Sequence, residues 1–371
     1  MLVKLKDIAT FINGRAYLMP ELQAKGKYRI IRVGNFSGKE EWFYSDMELE
    51  PEKYCSNGDL LYKWACNFGP EIWKGEKAIF HYHIWKVIPN EEKVDKQYLY
   101  YKLALMTPYW LSSTNGSTMV HITKETMEDK IIDLPAINEQ KNIAKILSSI
   151  DAQIERNECV VKRLQVLSHE IFNQFFADET ELVSLVDFPY IEILKPGILP
   201  FEGTKHYIAT AEVEGEKLNF SAPLIEFATR ENRANMQPIP NSVWFAKMKR
   251  SLKHIYVTSQ DDQLIDNYIF STGFCGIKCD DIAFEYMINY LNLLYFEKEK
   301  DILSHGATME GVNNEDLKSF KIHLPSRESL IQFHSKTKDI HCRIAKINEM
   351  THHLTLLKNK LLPLLINGQL Q

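Results

Sequence analysis

INEQKNIAKILSSIDAQIERNECVVKRLQVLSHEIFNQFFA, residues 137–177, is the stretch whose reading decides the fold. Ile143, Ile150, Leu164 and Ile171 recur every seven or fourteen positions. Ile146, Leu147, Ile154, Val160, Val161, Leu167 and Phe175 fill the neighbouring stripe. An apolar step of seven held over several turns marks a helix that packs along another helix. The stretch contains neither Gly nor Pro, so about 40 residues at about 1.5 Å each predict a rod of roughly 60 Å. Asn157 falls on the seam, where a polar residue fixes register at some cost in stability.

The pattern returns 190 positions later: Ile150, Ile154, Leu164 and Leu167 come back as Ile340, Ile344, Leu354 and Leu357. Phe333, Ile340, Ile347, Leu354 and Leu361 keep the seven-residue step, and Pro363 with Asn367-Gly368 loosens or ends it. Upstream, Asn115-Gly116-Ser117-Thr118-Met119 returns as His305-Gly306-Ala307-Thr308-Met309, and Leu134-Pro135 as Leu324-Pro325. A unit of this length exceeds a solenoid repeat of roughly 20–50 residues. It is a domain with an appended helix, and two of them imply an internal pseudo-two-fold. A lone helix of this kind would leave its apolar seam in water. The simplest burial pairs the two helices antiparallel and puts the domains at opposite ends of a spacer. Packing of each helix on its own domain is the alternative.

Ahead of each long helix the pattern is one of short strand-like runs: Tyr28 to Val33, Trp42 to Tyr44, Leu60 to Trp64 and Ala78 to Ile88 before the first, then Tyr207 to Ala211 and Val243 to Lys247 before the second. Lys4 to Asn13, Gln97 to Met106 and Ile282 to Leu294 read as helices. The expected fold class is α+β (mixed α/β): two similar globular domains separated by two long antiparallel coiled-coil-like helices. The expected boundaries are 1–136 for the first domain, 137–178 for the first long helix, 179–326 for the second domain and 327–371 for the second helix.

Apolar runs such as Leu361-Leu362-Pro363-Leu364-Leu365-Ile366 fall short of the roughly 20 residues of a membrane span, and the first residues lack a signal-like apolar stretch. The expected location is the cytoplasm. Six cysteines, at 55, 66, 159, 275, 279 and 342, form no C-x-x-C pair and read as reduced thiols. His81 and His83 sit two apart on an expected strand, facing the same side; without a third ligand they read as structural or DNA-edge residues in preference to a metal pair. His352-His353 reads as a partner or solvent face of the long helix.

Catalytic motifs are missing. There is no Pro-Pro pair for an adenine-methyltransferase motif. Gly306 and Gly311 have the spacing of a phosphate loop, but Val312-Asn313 follows instead of Lys and Ser or Thr. Glu297-Lys298-Glu299-Lys300 reads as a solvated helix end, not as a nuclease cluster.

The chain resembles the specificity subunit of type I restriction–modification systems. The resemblance lies in Leu5-Lys6-Asp7-Ile8, Asn57-Gly58-Asp59-Leu60-Leu61, Gly116-Ser117-Thr118, Ile131-Ile132-Asp133-Leu134-Pro135 and Asn138-Glu139-Gln140-Lys141-Asn142-Ile143-Ala144. It continues through Asn241-Ser242-Val243-Trp244-Phe245-Ala246-Lys247, Ser271-Thr272-Gly273-Phe274 and the C-terminal Leu361 to Gly368. Arg327-Glu328-Ser329-Leu330 departs from the first unit's Ile137-Asn138-Glu139-Gln140.

This resemblance implies a DNA-binding subunit with no catalytic site, whose two target-recognition domains each read one half of a bipartite double-stranded DNA sequence. It implies that the helices dock modification (adenine methyltransferase) subunits, expected to number two, and a restriction subunit where one exists. No cofactor is implied in this chain; S-adenosylmethionine belongs to the modification partner, ATP and Mg to a restriction partner. Carried onto this sequence, Gln140, Ile143, Leu147, Ile154 and Leu354 are the expected partner-binding positions. The role implied is DNA methylation and host defence.

Base edges are read best by Arg for guanine and by Asn or Gln for adenine, while cations and hydroxyls position phosphates. Candidates are such residues with aromatic neighbours. In the first domain they are Arg29, Arg32, Asn35, Lys63 and Asn67, with Ser117 and Thr118 in a small hydroxyl-bearing turn. In the second they are Arg230, Arg233, Lys247, Lys249, Arg250 and Lys253, with Thr308 in the matching turn. The formal net charge of −5 argues against indiscriminate coating of nucleic acid. Specific binding depends on local cation clusters instead. That charge also suits a two-headed scaffold that binds proteins only, which stays open as the alternative.

Overall fold

The computed structural model describes residues 1–37, 41–112, 122–306 and 310–369. Ser117, Thr118 and Thr308 lie outside these residues. By contacts the chain divides into two units, Met1–Gln153 with Leu354–Gln371, and Ile154–His353.

Among the described residues the first unit carries ten strands: β1 (Leu2–Lys4), β2 (Ala9–Asn13), β3 (Tyr28–Ile31), β4 (Phe43–Ser45), β5 (Tyr54–Cys55), β6 (Leu60–Lys63), β7 (Gly69–Ile72), β8 (Ala78–Phe80), β9 (Ile84–Pro89) and β10 (Ile131–Asp133). They form a β1-β10 pair and two four-stranded sheets, ordered β2-β9-β6-β7 and β4-β3-β8-β5. Of these strand pairs β3 with β8 runs parallel and the others antiparallel. Helices α1 (Lys96–Ser112) and α2 (Lys124–Glu128) precede the long helix α3 (Ile137–Phe176).

Residues 4–13 do not form the expected helix. Leu5–Asp7 is a 3-10 turn and Ala9–Asn13 is strand β2, paired with β9 over its whole length. Local spacing allowed both readings, because Leu5, Ile8 and Ala9 also fit i, i+3, i+4. The alternation of buried Ala9 and Phe11 with exposed Thr10, and the available partner strand, decided for β. The run from Ala78 to Ile88 is likewise two strands in different sheets, joined by a turn at His81–His83. α1 continues past Met106, through Pro108, to Ser112.

The second unit repeats the arrangement. Its strands are β11 (Leu182–Ser184), β12 (Ile191–Ile193), β13 (Thr204–Ile208), β14 (Val213–Glu214), β15 (Lys217–Leu218), β16 (Leu224–Glu226), β17 (Ala234–Met236), β18 (Ser242–Ala246), β19 (His254–Val257), β20 (Tyr268–Ser271), β21 (Phe274–Cys279) and β22 (Lys321–His323). The sheets are β11-β22, β12-β21-β18-β19 and β16-β13-β20-β17, with β13 and β20 again parallel. Each strand of the first unit thus has a counterpart in the same place. The β14-β15 hairpin and helix α4 (Asp262–Asn267) are additions.

The expected helix at Ile282–Leu294 is instead a 3-10 turn, α5 (Phe284–Leu291) and α6 (Leu294–Leu303). Its Glu297 to Lys300 segment is not a solvated end. Lys300 is fully buried with its Nζ 2.6 Å from Glu297 Oε2, and Glu297 Oε1 lies 3.1 Å from His254 Nε2. Positions three apart share a helix face, and here that face meets β19. Mutual neutralisation and hydrogen bonding offset the desolvation of the buried charges.

The second long helix, α7 (Arg327–Ile366), has 40 residues like α3, and each of its ends lies 190 positions after the matching end of α3. α7 passes Pro363 and stops at Asn367-Gly368, where Gly368 takes φ +68°. There Gly368 N–H donates to Leu365 O at 3.3 Å and Gln369 N–H to Leu364 O at 2.8 Å, the glycine-dependent stop that caps helix carbonyls.

Within each unit the segments of α3 and α7 pack antiparallel. In the second, Asn157 meets Thr351, Ser168 meets His341, and Phe172 and Phe176 pack on Phe333. In the first, the Lys358 ammonium sits 2.6 Å from Asp151. Both expected modes of burial occur together, since the seams also pack on the domains. Ile143, Ala144, Leu147, Leu365 and Ile366 share one core with Phe11, Tyr62, Trp85, Tyr98 and Tyr101. Phe172, Phe176 and Phe333 share another with Phe245, Ile277, Tyr286 and Tyr290. Each large apolar side chain buried this way contributes roughly 1.5–3 kcal/mol.

Candidate nucleic-acid interface

In the first unit the two four-stranded sheets meet at the turn His81–His83. The His81 N–H extends the parallel β3–β8 ladder by donating to Ile31 O at 2.9 Å, and the Ile84 N–H closes the turn on His81 O at 2.9 Å. Gly14 lets the neighbouring strand approach: a Cβ there would lie 2.3 Å from the His81 carbonyl oxygen. Trp64, just after β6, donates its backbone N–H to His83 O at 3.1 Å and its indole N–H to Tyr82 O at 2.8 Å. Its ring lies 5.1 Å from His83, 6.1 Å from Tyr82 and 5.9 Å from Trp85, stacked on the last. Burial, with His83 and Arg32 adding to it, pushes the His81 imidazole down to about 4, so His81 is neutral near pH 7.

Arg32 follows β3 directly and therefore neighbours His81; it is exposed, with its guanidinium 5.1 Å from the Phe43 ring centre. Arg29, also exposed, lies 5.3 Å from the Trp42 ring. Such stacking holds a guanidinium flat and leaves its N–H edges usable. Asn35 has a structural task, accepting from Arg32 N–H at 2.9 Å and donating to Glu41 O at 3.0 Å. Lys63 is not the exposed cation a phosphate needs. It is buried, 2.6 Å from Glu71 and over the Phe36 ring. Asn67 is exposed on the loop before β7.

In the second unit the corresponding turn is Ser271–Gly273. Lys247 donates its backbone N–H to Gly273 O at 2.9 Å, and Thr272 N–H donates to Arg233 O at 2.8 Å. Lys247 and Arg233 therefore flank this turn, Lys247 half-buried and Arg233 exposed. Arg250 is exposed at φ +59°, its backbone N–H donating to Asp301. Lys249 is paired with Glu310 at 2.6 Å, and Lys253 donates to Thr210 O at 2.7 Å, so the expected cluster at 247–253 is partly neutralised within the fold. Arg230 lies over its near neighbour Phe227 at 4.2 Å.

The expected partner-binding positions face inward for the most part. Gln140 is fully buried; its side chain accepts from Asp95 N–H and donates to Lys93 O and Pro135 O. Ile143 and Leu147 are core residues. Ile154 and Leu354 are half-buried. The apolar side chains that α3 and α7 leave exposed are others, among them Ile146, Val160, Leu167, Met350 and Leu357. Val160 and Met350 are repeat equivalents, as are Leu167 and Leu357.

Sequence reasoning singled out Arg32, His81 and His83 of this corner but missed Tyr82 between the two histidines. The available signal was His81-Tyr82-His83, three consecutive ring-bearing polar residues that interrupt strand alternation. His352 also departs from the solvent-face expectation, packing 4.0 Å from Phe220 between ring centres. Among the described residues no group of three or more His, Cys, Asp or Glu side chains is placed to hold a metal ion, and no helix is long and apolar enough to cross a membrane.

These features define a duplicated α+β protein with polar corners on two like domains. Residues 1–162 match the family model for the type I restriction modification DNA specificity domain. The chain is 29% identical over 178 residues to the type I restriction enzyme MjaVIII specificity subunit of Methanocaldococcus jannaschii, covering 40% of this chain and 41% of the relative. It is 27% identical over 169 residues to the EcoBI specificity subunit of Escherichia coli, covering 44% and 34%. The crystal structure of the type I restriction–modification S subunit from M. genitalium shares the fold, with a TM-score of 0.61 at 13% identity over 98% of this chain and 95% of that one. The chain is thus similar to the specificity subunits of type I restriction–modification systems. It matches less than half the length of the first two relatives.

Proposed function

We propose that the protein is the non-catalytic DNA-recognition subunit of a type I restriction–modification complex, each domain binding one half of a bipartite target. The observation that carries this is the duplication: one strand topology, occurring twice, with the DNA specificity domain matched at residues 1–162. Two equivalent readers suit a two-part sequence, as paired domains suit paired half-sites. The DNA-facing residues in this reading are Arg29, Arg32 and Asn67 in the first domain, and Arg233, Lys247 and Arg250 in the second. Modification subunits carrying S-adenosylmethionine dock on the long helices through the exposed apolar positions, not through Gln140, Ile143 and Leu147. A restriction subunit, where one exists, joins the same assembly.

The test is selection from randomised duplex DNA by the full chain with its modification partner. The expected result is one enriched bipartite sequence, bound less tightly as salt rises because phosphate contacts release counterions. The protein-only scaffold remains the second reading, favoured by the net charge of −5 and by the internal pairing of Lys63 and Lys249. It predicts partner capture with no enriched sequence.

A further inference from the structure

Strand register equates the two corners residue by residue. In the first domain Ile31 pairs with Phe80 and Lys63 with Ile84. In the second Ile208 pairs with Phe270 and Ala246 with Phe274. Phe80 and Phe270 are the same repeat position, as are Ile84 and Phe274. Arg32 therefore corresponds to Ala209, Trp64 to Lys247, and His81-Tyr82-His83 to Ser271-Thr272-Gly273.

The backbone bond that ties the corner together is kept: Trp64 N–H to His83 O at 3.1 Å, and Lys247 N–H to Gly273 O at 2.9 Å. The side chains around that bond are exchanged almost completely. One corner offers a guanidinium and three aromatic rings, of which Tyr82 is exposed and Trp64 and His83 half-exposed. The other offers an ammonium beside a small, hydroxyl-bearing turn. A fold that holds a backbone position fixed while changing its chemistry is suited to presenting alternative contacts from one scaffold.

We propose that this corner is the base-reading element of each domain, and that its exchanged side chains make the two half-sites chemically different. The proposal rests on the DNA-recognition reading given above. In the first domain Arg32 supplies donors for a guanine edge, and Tyr82 with Trp64 packs on apolar base surface such as a thymine methyl. In the second, Lys247 contributes a point charge, and Thr272-Gly273 lets backbone and hydroxyl approach the groove closely.

The experiment selects randomised duplex DNA with the full chain and its modification partner, for the unaltered protein, for Tyr82→Ala, and for the triple change Trp64→Lys, Tyr82→Thr, His83→Gly. Tyr82→Ala removes an exposed ring and keeps the fold testable if the triple variant does not fold. The expected result is a loss of about tenfold in discrimination at one or more positions of one half-site, with the other half-site unchanged; Lys247→Trp alters the other half-site alone. Selection by Tyr82→Ala identical to the unaltered protein, or an equal loss at both half-sites, overturns the inference while leaving DNA recognition standing. Failure of the unaltered protein to enrich a bipartite sequence overturns both.

Discussion

Asn157 Nδ2 donates to Thr351 Oγ1 at 3.0 Å, joining α3 to α7 within the second unit, and the Thr351 hydroxyl donates a hydrogen bond to Ile347 O at 2.7 Å. A buried polar pair in an apolar seam fixes which residues of the two helices face each other. Asn157→Ala removes the bond and is expected to cost about 1 kcal/mol, a drop of roughly 2–4 °C in melting temperature for a unit of this size. The double change Asn157→Leu with Thr351→Val is expected to melt no lower than the unaltered protein. Thermal melts of the two variants check both expectations.

Gln140 joins three backbone groups of the first unit, at Asp95, Lys93 and Pro135. Gln140→Ala strands them in the interior, at a cost of roughly 2–4 kcal/mol for several unmet bonds. Urea unfolding of the chain alone is expected to show this loss. Weaker partner binding with unchanged unfolding would restore Gln140 to the partner surface.

His341 is buried with its Nε2 2.8 Å from Ser168 Oγ, and burial pushes the imidazole down to about 4. An unfolded histidine titrates near 6.5, so between these values the unfolded chain binds the extra proton. Stability present above pH 6.5 is therefore lost as pH falls toward 4, by roughly 3 kcal/mol from this group. His341→Gln is expected to flatten that part of the stability–pH curve, measured by urea midpoints at pH 7, 5.5 and 4.5.

Gly276 in β21 lies against the buried Trp244 ring; an added Cβ would come within 2.4 Å of it. Gly276→Ala must push the indole off its packing, at a cost of about 1–3 kcal/mol. Near-ultraviolet circular dichroism and thermal melting read the displacement and its cost.

Val160 and Met350 are exposed apolar residues at equivalent positions of the two long helices. Under the proposed docking, Val160→Glu or Met350→Glu leaves unfolding within about 0.5 kcal/mol of the unaltered chain, as for most surface changes, and weakens capture of the modification subunit. Ile143→Glu is expected to do the opposite, destabilising the first unit itself. Copurification with the partner, alongside urea unfolding, separates the two outcomes.

Much of the architecture was legible because heptad spacing and duplication are properties of local sequence. The 190-residue echo that joins Ile150 to Ile340 also joins the ends of α3 to those of α7. The DNA-facing candidates were legible only by residue type. Lys63 and Arg32 read alike in the sequence, yet one is buried against Glu71 and the other is exposed over Phe43.

The sequence by itself determined that two long helices exist and that each follows one of two related domains, since an apolar stripe of period seven has few other uses. Tertiary structure alone decided which side of each stripe was already occupied. Ile143 and Leu147 cannot announce from their spacing that they will share a core with Tyr98 and Leu365, because those residues lie far away along the chain. The same distance dependence made residues 9–13 a strand, where pairing with β9 prevailed over a local helical spacing, and gathered Arg32, Trp64 and Tyr82 at one corner from three separate segments.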